Sequence, residues 1–193
     1  MRGDCCSPAA ACYACRMPRL VAFLRAVNVG GRSVKMDALR AAFEAIGLTE
    51  VQTFIASGNV VFDSTARSLP ALERKIEAQL QTAFGFEVDT FVRTLAEVAA
   101  LAADTAFEAD TVRTRTQVVG FLREVPGDEV HQTLQRMSSD VDRLRAQGRE
   151  LFWHSSNSQA DSTFSNAAFE RALKLRTTFR GISTLRKLVD KHG

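Results

Sequence analysis

The sequence predicts an α+β fold made of two tandem ferredoxin-like (α-β plait) units, each with the element order β-α-β-β-α-β. Two observations support this prediction. Strand-like apolar runs and stretches with helical spacing follow one another in that order, and the order recurs in the second half of the chain. The composition is that of a folded globular protein, with 46% hydrophobic and 24% charged residues among 193.

The first half begins with an extended segment, residues 19–29 (RLVAFLRAVNV), that is apolar on both alternating faces, as in a strand covered on both sides. Apolar residues at steps of three and four then predict an amphipathic helix over residues 36–46, which Gly47 ends. Two short strands are predicted next, at residues 51–56 and 60–63.

These two strands are joined by Ser57-Gly58-Asn59, a tight hairpin whose residues accept positive φ. A second helix follows, with Pro70 in its first turn and Gly85 at its end. A strand at residues 87–93 completes the first unit. We therefore expect a first plait at residues 17–94, followed by a linking helix and a second plait at residues 95–193.

The second half repeats the pattern after the linking helix at residues 95–103. Its predicted elements are a strand at 116–123, a helix through Leu134, two strands joined at Gln147-Gly148, a helix through Ala168, a strand at 177–180 and a last helix through Leu185. Residues 23–27 (FLRAV) are echoed by residues 121–125 (FLREV), which supports a duplication. Because the first strand is too apolar to leave one face in water, the two sheets are expected to pack together or join.

Residues 1–16 differ from the rest of the chain, because they contain all four cysteines (Cys5, Cys6, Cys12 and Cys15). The adjacent pair Cys5-Cys6 suits neither a zinc knuckle nor a ferredoxin run. We expect this segment to be a disordered extension or to precede the true first residue, Met17. The body lacks cysteine and no apolar signal segment is present, so a cytoplasmic location is expected.

Most catalytic and membrane classes find no support in the sequence. No apolar run approaches the roughly 18 residues of a membrane span. The histidines His131, His154 and His192 lack zinc spacing, and no G-x-S-x-G elbow is present for a serine nucleophile. Gly30-Gly31 lacks the remainder of a Walker loop or a dinucleotide fingerprint. We therefore expect no metal site, no cofactor and no membrane partner.

Three segments carry a resemblance to a known family. They are residues 25–31 (RAVNVGG), 36–40 (MDALR) and 55–62 (IASGNVVF). At this spacing they resemble the motifs of the bacterial family called domain of unknown function 1697, over about residues 19–189. The resemblance implies a tandem α-β plait fold and no established activity. It is weakest at residues 178–184 (TFRGIST), which lack two asparagines and an aromatic residue of the family pattern.

Two of these motifs, residues 25–31 and residues 55–62, are predicted to lie close together in space. In a β-α-β-β-α-β unit the end of the first strand, the start of the first helix and the hairpin share one edge of the sheet. Glycines there admit backbone N–H groups to a ligand, and a helix N-terminus carries partial positive charge, which together suit an anion. The candidate ligand-binding residues are Arg25, Asn28, Gly30, Gly31, Lys35, Ser57, Gly58, Asn59 and Arg180. The competing interpretation is that these residues only turn the chain and cap backbone groups.

Two functional classes remain open. The first is a binding protein for a small anionic ligand or a macromolecular partner. The alternative is a cofactor-free enzyme acting on a phosphorylated or nucleotide-like metabolite. Residues 171–193 carry seven basic side chains against one acid, and RNA is thus a weaker sub-case of the first class. It is weaker because only Phe23 and Phe62 could stack bases, so we expect weak, non-specific binding to nucleic acid.

Overall fold

Strands that are apolar on both faces alternate with amphipathic helices along the chain. The computed structural model describes residues 17–31, 33–55, 58–103, 115–158 and 166–193. The first half contains β1 (Arg19–Leu24), α1 (Met36–Glu44), β2 (Thr49–Phe54), β3 (Asn59–Asp63), α2 (Leu69–Phe84) and β4 (Thr90–Thr94). The second half contains α3 (Leu95–Ala103), β5 (Thr116–Phe121), α4 (Asp128–Met137), β6 (Asp142–Gln147), β7 (Glu150–Ser155), α5 (Asn166–Leu173), β8 (Thr178–Gly181) and α6 (Ile182–His192).

These elements form two four-stranded antiparallel sheets, so the α+β class is confirmed. The strand order is β2-β3-β1-β4 in the first sheet and β6-β7-β5-β8 in the second. The register is equivalent as well, because Phe23 lies opposite Asn59 in the first sheet and Phe121 lies opposite Glu150 in the second. The second half therefore repeats the first in element order, strand order and register.

The central strand of the first sheet contributes side chains to two different cores. Leu20, Ala22 and Leu24 point into an outer core beneath α1 and α2, whereas Val21 and Phe23 point into a core that the two sheets share. This alternation explains why β1 is apolar at every position after Arg19.

The shared core joins the two halves of the molecule. Phe23 of the first sheet stacks on Phe121 of the second, with ring centroids 4.0 Å apart and planes inclined by 9°. Val98 of α3 and Leu185 of α6 belong to the same core, while a third core around Trp153 lies on the far side of the second sheet. The two sheets thus pack face to face, as the apolar pattern of the first strand predicts.

Several strands are shorter or shifted relative to the sequence prediction. The first strand ends at Leu24 rather than residue 29, because Ala26 adopts a left-handed backbone (φ 54°) that turns the chain out of the sheet. The second strand lies two residues earlier than predicted, at Thr49–Phe54, and the last strand of the first half lies at Thr90–Thr94. Periodicity locates such elements well and their ends poorly.

The helix signals of the second helix are confirmed. The Ser68 hydroxyl accepts a hydrogen bond from the Ala71 N–H at 3.4 Å, Pro70 lies in the first turn, and Gly85 ends the helix at φ 77°. Within the described ranges, no helix is both long and apolar enough to span a membrane. The four cysteines and Ser57 lie outside the described residues.

Candidate functional site

The end of β1 and the β2–β3 hairpin are in direct contact. The Leu24 N–H donates to the Gly58 carbonyl oxygen at 2.8 Å. A Cβ on Gly58 would lie 2.9 Å from Val27 Cγ1 and 3.1 Å from Leu24 Cβ, and Gly58 itself has φ 75°. Glycine is therefore required at this position by space and by backbone conformation. The structure brings the two motifs to one sheet edge.

We call this edge the loop edge and define it as residues 25–31, 33–35, 55 and 58. Its backbone concentrates left-handed conformations, at Ala26, Gly30, Gly31, Ile55 and Gly58. Such a conformation at a β-branched residue is a genuine outlier that costs on the order of 1–3 kcal/mol. Ile55 is 53% exposed, so burial of its side chain does not offset this free-energy cost.

The β1–α1 loop is closed by a side-chain hydrogen bond. The Asn28 Oδ1 accepts from the Val34 N–H at 2.7 Å, which fixes the loop just before α1 begins. Gly30 and Gly31 are exposed, and a Cβ on either would meet nothing within 4 Å. Lys35 is exposed at the N-cap position of α1, and its side chain makes no capping hydrogen bond. The loop therefore presents glycine backbone and an ammonium group to solvent.

Arg180 of β8 lies beneath the loop edge, although it belongs to the other half of the molecule. Its Nε donates to Asn59 Oδ1 at 2.5 Å, and its Nη2 donates to the carbonyl oxygens of Leu24 at 2.8 Å and Gly58 at 3.4 Å. Its Nη1 donates to the Thr178 hydroxyl and to the Phe179 carbonyl oxygen, both at 2.8 Å. The guanidinium thus ties the end of β1 and the hairpin to the second sheet.

The charge of Arg180 persists despite its burial. Removal from water lowers the pKa of the guanidinium to about 10, which leaves it protonated at neutral pH. The group also lies over the Phe23 ring, 5.7 Å from its centroid. The described acceptors around it are amide, hydroxyl and carbonyl oxygens. A positive charge is therefore held directly below the loop edge.

Asn59 is a structural partner of this guanidinium. Its side chain is completely buried, and its Nδ2 donates to the Phe54 carbonyl oxygen at 3.1 Å while its Oδ1 accepts from Arg180. The amide therefore closes the hairpin and orients Arg180. A direct contact between Asn59 and a solvent-borne ligand would require the hairpin to open.

Arg93 of β4 is the counterpart of Arg180 in the first sheet. It lies opposite Val21 of β1, as Arg180 lies opposite Val119 of β5. Its Nη2 donates to the carbonyl oxygens of Leu122 at 2.7 Å and Arg149 at 3.1 Å. These are the positions in the second half that correspond to Leu24 and Gly58. The two arginines therefore make reciprocal contacts across the boundary between the halves.

The two arginines differ in the chemical group that accepts the hydrogen bond from Nε. The Arg93 Nε donates to the Glu150 carboxylate at 2.7 Å, at the register position that Asn59 occupies in the other half. Burial lowers the pKa of Arg93, and the carboxylate of Glu150 opposes this effect. At equivalent positions, Arg93 thus faces a carboxylate and Arg180 an amide.

The edge of the second half also differs from the loop edge in its surface. A cavity of about 240 Å³ lies beside Glu150, lined also by Glu97, Leu101, Gln147 and Phe152. The first turn of α4 contains Asp128 and Glu129. This edge therefore carries carboxylates, of which Glu97 pairs with Arg149 and Glu150 with Arg93, whereas the loop edge carries the exposed ammonium of Lys35.

The backbone of Arg25 belongs to the loop edge, whereas its side chain lies at the joint between the halves. Its guanidinium forms two 2.6 Å hydrogen bonds to Glu170 of α5. Arg123, its counterpart, pairs with Glu77 of α2. Both arginines also approach Asp89, at 3.8 and 3.5 Å. Arg25 thus takes part in a network of ion pairs that helps to dock the two halves.

The basic C-terminal segment is partly engaged in contacts within the chain. Arg176 binds Asp89 at 2.9 Å, the Arg186 Nε donates to the Ala102 carbonyl oxygen at 3.1 Å, and Arg180 is buried. Lys187 is exposed on α6. The basic residues of this segment therefore do not all face solvent, and the density of charge in the sequence overstates the charge available to a phosphate backbone.

Comparison with known proteins gives three results. A family model described as "Protein of unknown function (DUF1697)" matches residues 17–152. Among solved structures, the conserved bacterial protein SP0830 from Streptococcus pneumoniae is similar, with a TM-score of 0.67 and 23% sequence identity, and the match covers 91% of this chain and 98% of that one. At this identity the likeness concerns the fold alone. No curated protein matches the chain.

Proposed function

The chain belongs to the DUF1697 family, whose description assigns no activity, and we propose that it is a binding protein for a small anion at the loop edge. The observation that carries this proposal is the position of Arg180. A guanidinium that stays protonated at neutral pH is buried directly beneath the two loops and bonded to their backbone. Its charge acts through a poorly screened interior, where electrostatic interactions are stronger than in water.

The local charge of the sequence supports an anionic ligand. Residues 20–35 contain Arg25, Arg32 and Lys35, and neither this segment nor residues 51–62 contains aspartate or glutamate. Lys35, Gly30 and Gly31 are all exposed in the same loop, and the space that a Cβ would occupy at either glycine is open. An anion at the loop edge would thus find a mobile ammonium, backbone donors and the field of Arg180 together.

The strained backbone of the loop edge supports a functional role. Backbone in sparsely populated conformations costs free energy and concentrates at functional sites. Ile55 and Ala26 are both left-handed without being glycine, at φ 49° and 54°. The other described non-glycine residues with positive φ are Glu50 and Lys174, so two of the four lie at the loop edge, and this supports a role of the loop edge in ligand binding.

We also propose that each half is a ferredoxin-like unit, divided near residue 94. The antiparallel strand order β2-β3-β1-β4, its repetition as β6-β7-β5-β8 and the equivalent register support this interpretation. A cytoplasmic location is part of the proposal, and it is supported by the absence of cysteine from residues 17–193.

The proposal is tested by anion binding to the wild type and to three variants. Inorganic phosphate, pyrophosphate and adenosine monophosphate serve as probes in thermal melts and calorimetry. In Asn59→Asp a carboxylate replaces the amide beside the Arg180 guanidinium and offsets its charge. In Glu150→Gln the matched change removes a carboxylate from the other half. Lys35→Ala removes the exposed ammonium without touching a buried group.

We expect at least one probe to raise the melting temperature of the wild type and of Glu150→Gln. Asn59→Asp should lose this response, and Lys35→Ala should weaken binding by roughly threefold to tenfold. Circular dichroism spectra establish that each variant is folded. Absence of any response in the wild type, or equal binding by Asn59→Asp and Glu150→Gln, would contradict the proposal. Conversion of a probe to a product would instead support the enzyme alternative.

A further inference from the structure

Two large apolar side chains are exposed at the loop edge. Val29 of the β1–α1 loop is 66% exposed, and Ile55 of the hairpin is 53% exposed. Single exposed apolar residues are common on protein surfaces and need no explanation. Here, however, the two loops that present them meet at one sheet edge, where the Leu24 N–H donates to the Gly58 carbonyl oxygen and Val27 leaves no space for a Cβ on Gly58.

Ile55 makes this pair unusual. It holds a left-handed backbone at φ 49°, which asparagine or glycine would adopt with less strain. Its exposed side chain gains little from burial in the protein. A strained and exposed isoleucine is therefore explained better by contact with something outside the chain than by folding.

We infer that the ligand of the loop edge is an amphipathic organic phosphate, in which the phosphate is bonded directly to a small apolar or aromatic group. This inference rests on the proposed function. The phosphate would meet Lys35 and the glycine backbone, and the apolar group would cover Val29 and Ile55. Two side chains offer far less surface than the roughly 800 Å² per partner of a stable protein interface, so a small molecule fits better than a macromolecule.

The test compares phenyl phosphate, inorganic phosphate and phenol as probes by calorimetry. The wild type should bind phenyl phosphate about tenfold more tightly than inorganic phosphate, because the ring buries apolar surface. The double variant Val29→Ser with Ile55→Ser should lose this tenfold preference and keep its affinity for inorganic phosphate. Phenol alone should bind weakly, since it lacks the anion.

Val125→Ser is the matched control. Val125 is 67% exposed on the loop between β5 and α4, at the corresponding edge of the second half. This variant should keep the preference for phenyl phosphate. All three substituted residues are exposed, so the variants should fold as the wild type does.

The outcomes separate this inference from the proposed function. Equal affinity for the two phosphates, or the same loss of preference in Val125→Ser, would overturn the amphipathic ligand and leave the anion site standing. Failure of both phosphates to bind would overturn the two proposals together. Binding of phenol as tight as that of phenyl phosphate would show an apolar site without anion selection, and would also overturn the inference.

Discussion

Arg93 and Arg180 each extend from the edge strand of one sheet to the backbone that ends the first strand of the other. The Arg93 Nη2 lies 2.7 Å from the Leu122 carbonyl oxygen, and the Arg180 Nη2 lies 2.8 Å from that of Leu24. Because both contacts join one half to the other, the halves are docked by a reciprocal pair of arginines. Such an arrangement resembles the isologous interface of a two-fold dimer within a single chain.

Replacing either arginine should loosen the docking of the halves. We expect Arg93→Met and Arg180→Met each to lower the free energy of unfolding by roughly 2–4 kcal/mol, as for other broken buried polar networks. Arg93→Met should cost more, because it also deprives the Glu150 carboxylate of its guanidinium. Urea denaturation measures both effects.

Arg40→Met provides the control for this comparison. Arg40 is 45% exposed on α1, where it pairs with Asp37 one turn away. Its replacement should change the free energy of unfolding by less than about 0.5 kcal/mol. If Arg93→Met and Arg180→Met were as stable as Arg40→Met, the arginines would not dock the halves.

The two asparagines of the family-like motifs should behave differently from each other. Asn59→Ala removes a buried acceptor of Arg180 and a donor to Phe54, and should cost roughly 2–3 kcal/mol. Asn28→Ala removes one acceptor of the Val34 N–H and should cost about 1 kcal/mol. Thermal and urea denaturation test this order, and equal losses would contradict it.

If the two asparagines bind a ligand, as the sequence suggests, the double variant Asn28→Ala with Asn59→Ala should remain folded with altered ligand affinity; the structure predicts a loss of stability as well. The structure assigns Asn59 to the interior, where any effect on affinity would act through Arg180. The sequence motif alone could not separate these roles, because the partner of Asn59 lies 121 residues away along the chain.

Element order was predictable from sequence, whereas strand ends and long-range contacts were not. The periodicities of Leu20–Leu24 and of α1 are local properties, and each survives in the structure. The segment after Leu24 has the apolar composition of a strand, but the left-handed backbone of Ala26 turns the chain out of the sheet. Alanine has no preference for that conformation, so the sequence does not predict the turn.

The candidate site was predicted in part, because the topology of the unit brings the two motifs to one edge. Arg93 was missed because a lone arginine in a predicted strand resembles a solvated side chain. Alignment of the repeated halves offered a signal, since it pairs Val92-Arg93-Thr94 with Phe179-Arg180-Gly181. Arg180 meets Asn59 and Arg93 meets Glu150. Which residue each arginine meets depends on the register between strands, which periodicity does not fix.

Relief of strain at the loop edge should raise stability. Ile55→Asn keeps the exposed position and places a residue that tolerates the left-handed conformation. We expect the free energy of unfolding to rise by about 1 kcal/mol, with Val125→Asn, at an exposed position whose backbone is not left-handed, as the control. A lower stability of Ile55→Asn would show that the isoleucine stabilises the hairpin by packing.

The pH dependence of stability should report the buried carboxyl group of Glu73. This residue of α2 is 2% exposed, and its Oε1 accepts the Val92 N–H at 2.7 Å. Burial raises the pKa of Glu73 above its ordinary value of 4.5, against the opposing effects of this hydrogen bond and of Arg93. Since the folded chain holds the proton more tightly than the unfolded chain, the stabilisation that this group contributes below pH 4.5 is lost as pH rises through the folded pKa.

Glu73→Gln keeps an acceptor for Val92 and cannot ionise. Its stability relative to the wild type should therefore improve between pH 4.5 and pH 7 in urea denaturation, while the exposed control Glu44→Gln should show no such trend. A relative stability of Glu73→Gln that stays constant over this range would mean that the carboxylate is stabilised in the fold as well as it is in water.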